Sequence, residues 1–137
     1  MLITDRELTE TLSSISDLLA GDGEFIFETR NPQAHAWENW DVEYSGQVVD
    51  TGGSIVSCVC NVEVPVAGDL VHFSHTFSSA KWSKPEVSRS SLRFLDVDSM
   101  DSFLHEADLT TTERFGDWDQ SVLLNDSPEI ISVTRRT

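Results

Sequence analysis

Residues 4–30 read TDRELTETLSSISDLLAGDGEFIFETR, and this stretch decides the fold. Thr4 is a good N-cap, and Glu7 three positions later completes a capping box, so a helix is predicted to begin here. Gly21 is predicted to end that helix in the left-handed conformation. The helix has one apolar stripe at helical spacing, formed by Leu8, Leu12, Ile15 and Leu19.

The run FIF at positions 25–27 is continuously apolar, which predicts a strand buried on both faces. A helix, a tight turn and such a strand form the second half of a βαβ unit. The first strand of that unit would have to precede Thr4. We therefore expect that strand to be missing from this chain.

The rest of the chain adds short elements around an antiparallel segment at residues 41–80. Asn31 and Pro32 predict a short helix that reaches Trp37, and the pair Gly52-Gly53 predicts a hairpin. Residues 78–90 are predicted to be a loop. A strand at 91–96 and a helix capped by Asp98 follow. The stretch 111–119 is predicted to be a strand that runs into a turn at 117–119, and 128–136 is predicted to be the final strand. We expect one domain over residues 1–137, with the antiparallel sheet at 41–80 inserted in it.

Composition restricts the class of partner. The chain has 137 residues, with 24 acidic against nine basic side chains and a formal charge of −15. Such a charge argues against binding to nucleic acid or to an anionic membrane, which both require a positive surface. The sequence shows neither a membrane span nor a secretory signal. Cys58 and Cys60 are predicted to be free thiols in a reducing cytoplasm, and no metal site is predicted.

Two long segments resemble the C-terminal half of class I S-adenosylmethionine-dependent methyltransferases. The first is LITDRELTETLSSISDLLAGDGEFIFETRNPQAHAWENW, residues 2–40. The second comprises SLRFLDVDSMDSFLHEADLTTTERFGDWDQS and SPEIISVTRR, residues 91–121 and 127–136. The resemblance implies an α+β, partly α/β fold: half of a Rossmann-like methyltransferase sheet flanked by helices, with an inserted antiparallel sheet.

The resemblance does not include the N-terminal half of those methyltransferases, which binds the cofactor. Its cofactor site uses a glycine-rich loop that leaves a strand, with amides presented at a helix N-terminus. Here Gly21 and Gly23 enter a strand, and Gly52-Gly53 lies in a hairpin. We therefore expect no cofactor-binding residues in the isolated chain. We expect S-adenosylmethionine to bind only when the missing half is supplied.

Candidate substrate-side residues fall into three groups, and no catalytic residue is assigned. In open α/β sheets the carboxyl ends of strands line the ligand crevice. Glu28, Arg30 and Asn31 at the end of the first strand either line such a crevice or form a polar turn with a local ion pair. His75, like His72, is either a general base or a packing residue. Three tryptophans either cover a flat substrate or bury the sheet: Trp37, Trp40 and Trp82.

Two functions from different classes remain open. The first is a truncated methyltransferase-like protein, expected to be inactive alone, that pairs with a complementary N-terminal-half chain or with itself as a homodimer. The unpaired strand edge left by the missing half motivates this prediction. The second is a non-catalytic module that binds a small apolar molecule on the curved antiparallel sheet.

Overall fold

The computed structural model describes residues 2–137, which form three helices and two sheets. The helices are α1 (Asp5–Leu18), α2 (Trp40–Glu43) and α3 (Val97–Glu106), with 3-10 turns at Pro32–Ala34 and Ala36–Asn39. The strands are β1 (Phe25–Arg30), β2 (Gly46–Val49), β3 (Ile55–Val62), β4 (Leu70–Ser79), β5 (Glu86–Arg93), β6 (Leu109–Phe115) and β7 (Glu129–Arg136). The predicted α+β class is confirmed.

The chain divides into two compact units. The first comprises the residues up to His35 together with Arg93–Thr137, and the second comprises Ala36–Leu92. The second unit contains the antiparallel segment expected at 41–80. The single-domain organisation over residues 1–137 stays a prediction. Among the residues described, no helix is long and apolar enough to cross a bilayer.

Strand β7 is the centre of the first unit, because it pairs antiparallel with β1 on one side and with β6 on the other. One face of this sheet packs on a core of α1 and α3. The core side chains with the least exposure come from both helices and from the start of β6: Leu8, Leu12, Met100, Leu104 and Leu109. The helical spacing of these apolar positions is what directs both helices onto the same sheet.

Helix α1 begins as predicted and ends earlier than predicted. The Thr4 hydroxyl accepts from the Glu7 N–H at 3.2 Å, and the Glu7 carboxylate accepts from the Thr4 N–H at 2.9 Å. These hydrogen bonds, first the one from the Thr4 backbone, lower the pKa of Glu7. The prediction for Gly21 is wrong: the helix ends at Leu18, and the C-cap Leu19 is extended with φ −69°.

Strand β1 is present, but the prediction that both its faces are buried is wrong. Phe25 and Phe27 are half-buried and stack on each other with ring centroids 4.8 Å apart. Ile26, on the opposite face, leaves 47% of its surface exposed. A continuous apolar run indicates that both faces of a strand are suited to burial. In this chain the described residues cover mainly the face of β1 that carries Phe25 and Phe27.

Helix α3 is capped two residues earlier than predicted. The carboxylate of Asp96, not Asp98, accepts from the Ser99 N–H at 2.7 Å. The Ser99 hydroxyl, and after it the Ser99 N–H, lower the pKa of Asp96 by hydrogen bonding to its carboxylate. Both carboxylates lie at the helix N-terminus, where negative charge is favourable, so the sequence pattern alone did not distinguish them.

The second unit is a four-stranded sheet in the order β2-β3-β4-β5. The hairpin at Gly52-Gly53 is confirmed, with Gly53 at φ 78° and a loop tightened by the Asp50 carboxylate. The prediction of a loop throughout 78–90 is wrong, because Glu86–Arg93 form β5. The serine-rich sequence of this edge strand carries no apolar stripe, so the pattern did not predict it.

Arg136 at the end of β7 provides a test of how α1 is held. Its guanidinium donates to the backbone carbonyls of Ser16 and Leu19 at the C-terminal end of the helix, where carbonyls lack the regular i+4 partner. Arg136→Met should lower the free energy of unfolding by about 1 kcal/mol. Urea denaturation measures this change.

Arg6→Met is the matched control, because Arg6 is 81% exposed and contacts only Glu10 at 3.6 Å. Its effect should stay below about 0.5 kcal/mol. Equal destabilisation by the two variants would contradict the role of Arg136 at the helix end.

Candidate functional site

The carboxyl end of β1 brings two of the predicted residues onto one face of the sheet. Glu28 and Arg30 are two apart in a strand and therefore point to the same side. The register places Glu28 opposite Ile131 and Arg30 opposite Glu129 on β7. This face is where the candidate site is built.

Arg30 forms an ion pair with Glu129. The Arg30 Nη1 lies 2.8 Å from the Glu129 Oε1, and the two side chains are 35% and 13% exposed. Of the two alternatives for Arg30, the structure therefore contains the local ion pair. The second carboxylate oxygen of Glu129 is buried and finds no hydrogen-bond partner among residues 2–137.

Glu129 is in an unfavourable setting for a charge. Burial raises its pKa, and the nearby carboxylates of Glu28 and Asp117 raise it further, whereas Arg30 opposes them. Three carboxylates thus share one guanidinium. The site has a negative potential and would favour a positively charged group close to it.

Glu28 is held by a residue that the sequence reasoning missed. The Trp118 Nε1–H donates to the Glu28 Oε2 at 2.5 Å, from the loop that follows β6. The Trp118 side chain remains 58% exposed. The indole therefore fixes one carboxylate oxygen and presents an open aromatic face beside it.

Asn31 is almost fully buried and held by several hydrogen bonds. It is 4% exposed, and its amide nitrogen donates to the carbonyls of Leu124, Asn125 and Ser127. Its Oδ1 accepts from the Gln33 N–H at 3.1 Å. Asn31 thus caps the first 3-10 turn as predicted and ties the 124–127 loop to the end of β1.

The other candidates belong to the second unit, and the structure brings only some of them together. Trp40 is 3% exposed and packs edge-on against Phe73 at 5.1 Å, while His75 lies between Phe73 and Phe77. The half-buried Trp37 lies in the turn before Trp40. Trp82 is 40% exposed in the turn after β4.

His72 points to the opposite face of β4 from His75, as the alternation predicts. Its Nδ1 lies 2.5 Å from the Ser91 Oγ, and the ring is exposed. His72 and His75 therefore do not act on a common point. The packing of His75 between two phenylalanines favours the structural alternative over a general base.

The missed residues, Trp118 and Glu129, carried only a weak signal in the sequence. The segment GDWD was interpreted as a turn, and Glu129 as the start of the last strand. Their meeting with Glu28 and Arg30 depends on β7 lying between β1 and β6. That strand order would have to be known before the two residues could be proposed.

The glycines do not form a cofactor cradle by themselves. Gly21 and Gly23 precede β1, and Gly52 and Gly53 lie in the β2–β3 loop. Within the described part of the chain, no glycine-rich loop leaves a strand to open a helix, which is the setting that S-adenosylmethionine requires. The described residues also contain no group of three His, Cys, Asp or Glu placed to hold a metal ion.

No family model matches this sequence, and no curated protein matches it significantly. Solved structures do match. The CcbJ methyltransferase from Streptomyces caelestis superposes with a TM-score of 0.74 at 17% identity, over 99% of this chain and 56% of that one.

Two further structures come from enzymes named for sugar substrates. CalS10, a SAM-bound amino pentose methyltransferase from Micromonospora echinaspora, matches with a TM-score of 0.64 at 13% identity. The sugar N-methyltransferase KedS8 from Streptoalloteichus sp. ATCC 53650 matches with a TM-score of 0.65 at 14% identity. Each covers 99% of this chain, which spans 53% and 51% of their respective lengths.

The chain therefore has a class I S-adenosylmethionine-dependent methyltransferase-like fold. It spans about half the length of the structures it matches. At these identities the likeness establishes the fold alone.

The carboxylate cluster makes a prediction about titration. Glu28→Gln should lower the pKa of Glu129, because it removes a repelling charge, and Arg30→Gln should raise it. Carbon-detected NMR of the Glu129 carboxyl measures both shifts. Glu10→Gln, on the exposed side of α1, is the control that should leave the pKa of Glu129 unchanged.

The same pKa has a consequence for stability. Since folding raises the pKa of Glu129, ionisation of this group opposes folding. Protonated Glu129 therefore adds to the free energy of unfolding at acid pH. This addition is lost as the pH rises through the folded-state pKa of Glu129. Glu129→Gln should remove that contribution, and an unchanged pH dependence of stability would contradict the assignment.

Proposed function

We propose that this chain supplies the substrate-side half of an S-adenosylmethionine-dependent methyltransferase that acts on a small molecule in the cytoplasm. It is inactive alone and becomes active when a polypeptide segment carrying the cofactor half completes the sheet. The observation that carries this proposal is the superposition: almost all of this chain matches about half of several methyltransferases.

The arrangement of glycines supports the division of labour. The CalS10 structure is named as SAM-bound, which supports S-adenosylmethionine as the cofactor of the completed enzyme. The described residues of this chain provide no strand-to-helix glycine loop for it. The cofactor half therefore has to bring that loop, while this chain contributes β1 and the antiparallel unit.

We propose an amine-bearing small molecule as the methyl acceptor. Two of the matched enzymes are named as an amino pentose methyltransferase and a sugar N-methyltransferase. In this chain the carboxylates of Glu28, Asp117 and Glu129 outnumber the single guanidinium of Arg30, which favours a cationic amine at the carboxyl end of β1. The exposed ring of Trp118 offers such a cation an aromatic face.

Calorimetry with S-adenosylmethionine tests the function. The isolated chain should show no binding, and the chain mixed with the polypeptide encoded immediately upstream should bind with a roughly micromolar dissociation constant. Transfer of a labelled methyl group to an amino sugar, but not to the matching neutral sugar, should then follow.

Micromolar binding to the isolated chain would contradict the need for a second half. Absence of binding by the mixture would contradict the methyltransferase proposal itself. Transfer to the neutral sugar alone would overturn the amine as acceptor and leave the division of the enzyme intact.

A second candidate function comes from a pocket within the antiparallel unit. Its volume is about 290 Å³, close to the lower end for small-molecule sites, and Tyr44, Val56, Cys58 and Phe77 line it. This pocket favours a module that binds a small apolar ligand without catalysis.

The fluorescent probe anilinonaphthalene sulfonate tests this alternative. If the pocket is a ligand site, the probe should bind with a defined stoichiometry and Phe77→Ala should weaken binding about tenfold. Val59→Ala, on the opposite and exposed face of β3, is the control. Equal binding by both variants would reject the pocket as a specific site.

A further inference from the structure

The nine basic side chains of the chain divide into two groups. The six in the first unit are arginines, and each has a partner: five form ion pairs with carboxylates, and Arg136 donates to backbone carbonyls. The three in the second unit are Lys81, Lys84 and Arg89. Among the described residues, none of these three forms an ion pair. They are the cations left available to a binding partner.

These three cations lie in one short stretch of the chain, residues 81–89, where β4 turns into β5. We name this stretch the basic hairpin. Glu86 is its single acidic side chain, so the basic hairpin carries a formal charge of +2. The remainder of the second unit carries six acidic and no basic side chains. The positive charge of that unit is therefore confined to the basic hairpin.

The basic hairpin also carries apolar side chains next to its cations. Trp82, between the two lysines, is 40% exposed, and Val87 is 46% exposed. Val87 and Arg89 are two apart in β5 and therefore point to the same face of the sheet. Tryptophan and arginine are enriched among the residues that contribute most to binding at protein interfaces. The basic hairpin thus offers both charge and apolar area to a polypeptide.

The backbone at the turn is constrained before any partner binds. The Trp82 N–H donates to the Ser79 carbonyl at 3.0 Å. Pro85 then fixes one backbone angle immediately before β5 begins at Glu86. Binding to such a turn costs less conformational entropy than ordering a flexible loop would.

The exposure of the basic hairpin indicates which kind of anion fits it. Every residue from 80 to 89 is exposed, whereas small-molecule sites are concave and bury most of the ligand. A partner must therefore bring a surface of its own. A nucleic acid duplex carries one negative charge about every 1.7 Å along its axis, so its length would meet the acidic remainder of a chain with a formal charge of −15. A short acidic polypeptide segment contacts the basic hairpin alone.

Salt screening allows a local positive charge to act within an acidic protein. At physiological ionic strength charges are screened over about 8 Å, so a segment seated on the basic hairpin experiences mainly Lys81, Lys84 and Arg89. We propose that the basic hairpin is a docking surface for an acidic segment of a partner protein. Carboxylates of that segment pair with the three cations, and an apolar side chain covers Trp82. The inference uses no residue of the carboxylate site at β1, so it does not depend on the proposed function.

A short fluorescein-labelled peptide with glutamates on both sides of a central leucine is the probe. Fluorescence anisotropy should show binding to the full chain with a dissociation constant of roughly 10 to 100 µM, and added salt should weaken it. The same peptide with glutamines in place of glutamates should not bind. In nitrogen–proton correlation NMR the indole signal of Trp82 should shift on addition of the peptide, whereas that of Trp40, which is 3% exposed, should not.

Lys84→Glu and Arg6→Glu form a matched pair, because both reverse one exposed positive charge and change the net charge equally. Lys84→Glu should weaken peptide binding at least about tenfold, and Arg6→Glu should remain within about twofold. Trp82→Ala should weaken binding about fivefold, whereas Trp82→Phe, which keeps an aromatic ring, should remain within about twofold.

Several outcomes would overturn the docking surface. These are absence of peptide binding, equal weakening by Lys84→Glu and Arg6→Glu, an unchanged Trp82 signal in the bound complex, or tighter binding of a single-stranded oligonucleotide of the same charge. Sedimentation showing self-association that Lys84→Glu abolishes would assign the basic hairpin to a second copy of this chain and overturn a separate partner. The assay contains no S-adenosylmethionine, so its failure is distinguishable from failure of the methyltransferase proposal.

Discussion

The rest of the first unit depends on the antiparallel pairing of β7 with β1. This ladder joins residues more than a hundred positions apart, as between Phe25 and Thr134, and it brings the start and the end of the chain into one sheet. Thr134 and Ser132 at its centre are almost fully buried. The Thr134 hydroxyl donates to the Phe25 carbonyl, so this buried hydroxyl is satisfied within the seam.

The same pairing determines where chemistry can occur. It places Arg30 opposite Glu129 and leaves Glu28 within reach of Trp118, so the candidate site lies at one end of the seam. It also leaves the other edge of β1 open. The candidate site and the outer edge of β1 therefore both depend on the same strand pairing.

Local signals in the sequence predicted much of this fold. The capping box at Thr4 and Glu7 is a short-range pattern, and the structure contains both of its hydrogen bonds. Glu28, Arg30 and Asn31 were predicted at a strand end because an apolar run precedes them. Where two residues were equivalent locally, as Asp96 and Asp98 were, the pattern could not decide which one caps the helix.

What the sequence could not predict depends on contacts between distant elements. Trp118 and Glu129 join the site through strand order, which no local pattern encodes. The exposure of Ile26 likewise depends on what covers β1 and not on its own apolar character. Strand β5 was not predicted because apolar and polar residues do not alternate in its serine-rich sequence.

Strand β1 is an edge strand of the sheet that residues 2–137 form, and the account of the first unit depends on this position. Amide hydrogen exchange of the isolated chain, resolved residue by residue by NMR, tests it most directly. The N–H groups of Ile26, Glu28 and Arg30 should exchange quickly, while those of Phe27 and Thr29 should be protected by β7. Equal protection at all five residues would contradict the claim, because it would mean that the outer edge is already paired.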